Sequence, residues 1–208
     1  MFYNAFSGIR RVLEYPIVFK FFQDLVGANA AHRRFVDEYV RPFSGACVFD
    51  IGCGPGTLCR FLPEDVRYVG YDFNRRYIAM AQENIGHRGE FFCQHISEGN
   101  PHRLAGEFDI VIAAHVLHHL NNNEARDLIN SAYLHLKPGG IFVSIDATYI
   151  TGQSPIARYL ISLDRGEHIR TPQGYQDLLF GKFSQSEATF MPNMLRLPWT
   201  HFVMRATK

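Results

Sequence analysis

The 208-residue chain lacks the marks of a disulfide framework, a membrane span or a polyanion grip. Its four cysteines, Cys47, Cys53, Cys59 and Cys93, include no Cys-x-x-Cys pair. A chain of this length can bury a core that needs no disulfide staples, so a reducing, cytoplasmic setting is expected. No uncharged apolar run reaches the roughly 18 residues of a spanning helix, so no membrane insertion is expected. The apolar stretch at residues 15–22 is interrupted by Pro16 and Lys20. No small-residue cleavage site follows it. It reads as an amphipathic helix packed on the domain rather than a signal peptide. Charge of one sign is also missing, with 21 basic against 20 acidic side chains and a net charge of +1. Basic residues meet only as short pairs: Arg10-Arg11, Arg33-Arg34 and Arg75-Arg76. A DNA partner would call for a larger basic patch. No internal repeat, low-complexity tract or interdomain linker is visible.

What is present is periodicity that changes along the chain. Ile17, Phe21 and Leu25 keep helical spacing up to Gly27. Ala31, Phe35, Val36 and Tyr39 make a second helical run that stops before Pro42. From there short apolar strands alternate with amphipathic helices. Strands are expected at residues 46–51, 66–71, 90–94, 108–113 and 141–145, and two more at 183–190 and 199–206. One helix carries Ile78, Ala81 and Ile85 on a single face behind an Asn74 cap. Another carries Ala125, Leu128, Ile129, Ala132 and Leu136. Asn121, Asn122 and Asn123 cap it, and Lys137-Pro-Gly-Gly140 stops it. Residues 151–180 read as a helix and loops. The nearly all-apolar strand at 108–113 is the kind buried on both faces. Such alternation demands an α/β fold: a doubly wound, mostly parallel sheet with helices on both faces. We expect a single domain over residues 1–208, with a helical cap at 1–42 and the sheet-bearing core at 43–208.

The most informative stretch is Val48-Phe-Asp-Ile-Gly-Cys-Gly-Pro-Gly-Thr57, a buried strand that ends in a glycine loop expected to open a helix. Glycines there allow a sharp turn and let a ligand approach the main chain. A dinucleotide loop would read Gly-x-Gly-x-x-Gly. This one reads Gly52-x-Gly54-x-Gly56, with Thr57 where the third dinucleotide glycine belongs. Asp50 precedes it. Asp72 ends the second strand, about 20 residues on, where a carboxylate can accept hydrogen bonds from both ribose hydroxyls of a nucleoside.

With these residues the chain resembles the class I S-adenosylmethionine-dependent methyltransferases, of the small bacterial type. Five blocks carry the resemblance in order: Asp50-Ile-Gly-Cys-Gly-Pro-Gly56, Gly70-Tyr-Asp72, Phe108-Asp-Ile-Val-Ile112, Val116-Leu-His-His-Leu120 and Leu136-Lys-Pro-Gly-Gly140. The resemblance implies a seven-stranded sheet of order 3-2-1-4-5-7-6 with strand seven antiparallel. It implies S-adenosylmethionine as cofactor, with Asp50 and the Gly52 backbone on the methionine amine. Gly54 would leave room for the ligand, with Cys53 between the two glycines. Asp72 would take the ribose and Phe73 would lie against the adenine. His95 or the Ile96 amide would face the adenine amine, where the family often has an acid. The backbone near Ala113 would close the methionine side. Arg33 or Arg34 would meet the methionine carboxylate.

The sulfonium already activates the methyl, so the protein has chiefly to hold an acceptor in line with it. His115, just after strand four, is the candidate base. Asp146, at the end of strand five, is placed to face the acceptor. Asp164-Arg-Gly-Glu-His-Ile-Arg170 reads as a charged loop, either near that pocket or simply solvated, and Thr200-His201 is a further candidate. His115 and His119 stand four apart, but no third ligand is evident, so no metal is expected. Ala113-Ala-His-Val116 is not the Asn/Asp-Pro-Pro-aromatic segment of amino-methylating enzymes, which argues against a DNA adenine methylase. A small organic acceptor is the first reading. The alternatives are a protein or RNA methyltransferase, a nicotinamide-dependent dehydrogenase and a non-catalytic cofactor-binding module. Monomer and homodimer are both open.

Overall fold

The computed structural model describes residues 27–94, 105–164, 166–191 and 194–208. The helix expected around Ile17, Phe21 and Leu25 lies outside them, as do His95 and Ile96. Seven strands form one sheet: β1 (Cys47–Ile51), β2 (Arg67–Asp72), β3 (Gly89–Cys93), β4 (Phe108–Ala114), β5 (Leu136–Ala147), β6 (Gln185–Met191) and β7 (His201–Thr207). Their spatial order is β3-β2-β1-β4-β5-β7-β6. The pairs from β3 to β5 are parallel, and β7 runs antiparallel to both β5 and β6. The order reverses between β1 and β4, which places the crevice of the sheet at their carboxyl ends.

The helices follow as α1 (Ala28–Phe35), α2 (Arg75–Ile85), α3 (Asn122–His135), α4 (Pro155–Ser162) and α5 (Pro172–Leu179). Alternate strand residues serve opposite faces of the sheet. Val48, Ile110, Ile112, Val143 and Ile145 pack with Phe35 and Val36, and with Ile78 and Ile85 of α2. Phe49, Val111, Ala113 and Phe142 pack with Leu128 and Ile129 of α3 and with Tyr175 of α5. The Asn74 side chain accepts from the Arg76 and Tyr77 amides and starts α2. Asn121 and Glu124 form a reciprocal capping box on α3.

Two local expectations change. The glycine loop opens no α-helix. It leads into a tight turn, Thr57–Phe61, after which Leu62 is extended at φ −79°, ψ 153°. Pro63 follows, and the residue before a proline is held out of the helical region. Leu136 does not belong to α3 either, because β5 begins there. The Lys137 ammonium lies 2.7 Å from Asp109 Oδ1, and the Lys208 amide donates to Gly140 O at 3.0 Å. These tertiary bonds draw the Lys-Pro-Gly-Gly segment into the sheet. The loop-and-helix reading of residues 151–180 resolves into two helices, α4 and α5.

Candidate active site

The carboxyl ends of β1 and β2 form one wall of the crevice. Asp50 is buried, and one carboxylate oxygen accepts from the Tyr68 hydroxyl at 2.6 Å. The other, Oδ1, is buried without a hydrogen-bond partner in the structure. Burial pushes the Asp50 carboxyl up to about 7, against the pull of the Tyr68 hydrogen bond, and the nearby Asp72 charge adds to the rise. A cation at Oδ1 would satisfy that orphan.

Asp72 accepts from the Gly54 amide at 2.9 Å and the Asn74 amide at 2.7 Å. Each carboxylate oxygen therefore keeps lone-pair capacity for a hydroxyl. The Gly52 and Cys53 amides both donate to Tyr71 O, at 2.7 and 3.0 Å, which ties the loop to β2. What Gly52 offers a ligand is thus its carbonyl. Gly54, at φ +55°, differs from its neighbours: a Cβ there would meet nothing within 4 Å. At Gly52 a Cβ would strike Val116, and at Gly56 it would strike Ile85 and Phe91. The loop is sealed from below and open above Gly54. Cys53 is buried, and burial pushes its thiol up. The Phe73 ring is 73% exposed at the end of β2.

The structure brings Asp50, Gly52, Cys53, Gly54, Asp72 and Phe73 together. Arg33 is placed otherwise: its guanidinium lies 5.2 Å over the Phe61 ring, in a shallow cleft with Val36, Asp37, Arg41 and Pro63. Arg34 bonds Glu38 at 2.9 Å. Ala113 does not follow β4. It is a buried ladder residue paired with Ser144, because pairing with β5 runs on to Ala114. His115 is the residue that leaves the strand.

The opposite wall is built from β4, β5, β7 and the loop before α5. His115 takes φ +59°, a left-handed conformation rare for a side chain with a Cβ. Its amide donates to Ile145 O at 2.7 Å. Its ring lies 5.6 Å from that of His201 and 6.2 Å from that of His118. Burial and the charges of His201, His118 and His32 hold the His115 imidazole well below its ordinary value, and burial takes His201 to about 4. Both rings are neutral at pH 7, and the same burial that keeps them neutral makes them weak bases until a partner offsets it.

Asp146 is fully buried, and one oxygen takes the His118 Nδ1 proton at 2.8 Å and the His118 amide at 3.2 Å. The far side of the same ring, Nε2, lies 3.4 Å from Asp164 Oδ1. Burial works against a charged His118, but the hydrogen bonds to Asp146 and Asp164 prevail and raise it to about 9. A Cβ on Gly166 would lie 2.3 Å from the His118 ring, and the His168 amide donates to His118 O at 2.9 Å. The Arg170 guanidinium donates to Leu117 O and Leu120 O, both at 2.7 Å, and to Asn122 Oδ1. The charged loop is therefore clamped onto the turn Leu117–His119.

His118, Asp164 and Arg170 belong to this wall and His32 of α1 is near enough to act on His115, although none was singled out as a site residue by itself. The charged run at 164–170 was the available signal for two of them. His32 gave none beyond its position one residue before Arg33. The His115–His119 spacing also misleads: the ring stacked near His119 is that of His118, at 4.2 Å.

Residues 49–142 match the family model described as a methyltransferase domain. An uncharacterised methyltransferase of Synechocystis is 28% identical over 138 residues, covering 64% of this chain and 64% of its own. A ubiquinone biosynthesis O-methyltransferase of Bradyrhizobium is 36% identical over 121 residues, covering 55% of this chain and 46% of its own. The chain thus spans less than two thirds of the length of either relative. A solved structure described as an S-adenosylmethionine-dependent methyltransferase from Archaeoglobus fulgidus superposes with a TM-score of 0.72 at 17% identity. It covers 91% of this chain and 99% of its own, a likeness of fold.

Proposed function

We propose that the chain is a class I S-adenosylmethionine-dependent methyltransferase that transfers the sulfonium methyl to a small organic acceptor, a reading supported by the methyltransferase-domain match over residues 49–142 and by the sheet order. One observation carries the cofactor half: a glycine loop open only above Gly54, flanked by an orphaned buried Asp50 oxygen and by Asp72. The residues present fit the group. Asp50 Oδ1 and the Gly52 carbonyl suit an ammonium, Asp72 suits a ribose diol, and exposed Phe73 suits the face of a purine. Cys53 keeps the loop packed against β2. His95 and Ile96 keep their proposed place beside the purine. When bound, the cofactor supplies an electrophilic methyl on a sulfonium.

For the acceptor half, neutral His115 is the proposed base for an acceptor proton. Its ring stands at the end of β4 in a left-handed backbone that points it out of the sheet. Asp146 serves through His118, holding that ring and the turn that carries it. It is the buried carboxylate behind that turn. The small-molecule class is supported by the name of the Bradyrhizobium relative, whose own acceptor belongs to ubiquinone biosynthesis. Among the described residues no helix is long and apolar enough to cross a membrane.

The test is calorimetric titration with S-adenosylmethionine, S-adenosylhomocysteine and NADH in parallel, then a labelled-methyl screen of phenols, amines, peptides and RNA. Binding of the two sulfur nucleosides but not NADH, with label moving to a phenol or amine, is expected. NADH binding without the nucleosides would overturn the cofactor. Label moving only to peptide or RNA would overturn the acceptor class.

A further inference from the structure

We infer that His118, His119 and Asp164 form a three-donor site for a divalent cation of the zinc class, with Asp146 behind it. Donor atoms of the three residues lie within 4.8 Å of one another. His118 Nε2 and Asp164 Oδ1 are 3.4 Å apart. That is long for a charge-assisted hydrogen bond, which closes to about 2.7–2.9 Å. It equals the spacing of two donors on one tetrahedral zinc, since bonds of about 2.0–2.1 Å put the donors about 3.3–3.4 Å apart. The other ring nitrogen of His118 bonds Asp146 Oδ1 at 2.8 Å. A carboxylate on the remote nitrogen fixes which nitrogen is offered to the metal and raises its basicity.

The charge at the site agrees. Asp146 Oδ2 is buried with no hydrogen-bond partner. Asp164 adds a second carboxylate across the same imidazole. Arg170, the nearby cation, spends its donors on Leu117, Leu120 and His168 carbonyls and on Asn122, not on either carboxylate. A dication between His118 and Asp164 would neutralise both. Two imidazoles and one carboxylate suit a borderline metal such as zinc rather than magnesium or calcium, which prefer oxygen donors. His119 is exposed, and three protein donors leave the fourth tetrahedral position to a water. The Gly166 backbone packed against the His118 ring keeps the two donor segments together.

The experiment uses the whole chain, stripped with chelator and titrated with Co2+ and then Zn2+. One equivalent of Co2+ is expected to raise an intense visible band of tetrahedral cobalt, which Zn2+ bleaches. His119→Ala, at an exposed position, is expected to melt like the parent without metal yet bind Zn2+ at least tenfold more weakly. Asp164→Asn, tested for retained fold by circular dichroism, is also expected to bind Zn2+ at least tenfold more weakly. Asp146→Asn, tested for retained fold by circular dichroism, is expected to weaken Zn2+ about 10–100-fold through the lost orientation. Absence of a stoichiometric cobalt band, or equal Zn2+ affinity in His119→Ala and the parent, would overturn the site. The readout is metal binding alone, so its failure is separate from failure of the methyl-transfer reading.

Discussion

The two walls of the crevice are built differently. The wall of β1 and β2 is contiguous: Asp50, Gly52, Gly54 and Gly56 lie within seven residues, and Asp72 arrives one crossover later. Most of its bonds are donated by main-chain amides, such as Gly54 N to Asp72 and Gly52 N to Tyr71 O. The wall of β4, β5 and β7 gathers His115, His118, Asp146, Asp164, Arg170 and His201 from four segments. Its bonds are made by charged side chains across 28 to 53 positions of sequence, from His118 to the Asp146 carboxylate and from Arg170 to the Leu117 carbonyl. A wall of the first kind accepts one ligand by backbone shape. A wall of the second kind can change its chemistry by changing side chains.

The comparison breaks first at the buried pair. Asp146→Ala leaves His118 buried against Asp164 alone, and removing one partner of a buried pair costs about 3–5 kcal/mol. Chemical denaturation of the chelator-treated chain should show that loss; unchanged stability would make the second wall decorative. The same pair sets a pH dependence. In the metal-free, chelator-treated chain His118 is raised to about 9 from its ordinary 6.5, so its contribution is fully present below 6.5 and disappears as pH rises through 9. Melting temperature should fall across that window, and a flat profile would mean that the ring is not charged.

His115→Ala should lower turnover about a hundredfold, the lower end of general-base effects, with cofactor affinity nearly intact. Normal turnover would make its left-handed backbone a structural feature only. Asp72→Ala acts on the other wall. It should weaken S-adenosylmethionine by about 1–3 kcal/mol through lost ribose bonds, read by calorimetry. An unchanged dissociation constant would remove Asp72 from the site. The smallest effect sharpens the contrast most. Gly54→Ala meets no atom, so stability should drop only by the left-handed strain of about 1–2 kcal/mol, while cofactor affinity falls as the methyl enters the open cradle. Affinity equal to the parent's would show that the space above Gly54 is not where the ligand lies.

The sheet order, the α2 and α3 faces and the Gly52–Asp72 constellation were legible in the sequence, for a physical reason. Strand and helix periodicities and the glycine loop are local, and a crossover of known length fixes how far apart Asp50 and Asp72 must fall. Pro63 was legible too, yet its power to stop a helix after Phe61 was overlooked. Residues 137–140 had the composition of a helix stop, but bonds to Asp109 and from Lys208 made them strand. By itself, the sequence determined the fold class and the glycine-loop wall of Asp50, Gly52, Gly54 and Asp72. Only the tertiary structure decided that His118, not His115, is clasped by Asp146 and Asp164, and that Arg33 lies over Phe61. Those choices depend on side chains meeting across long loops, where burial and charge pairing, not spacing, select the partner.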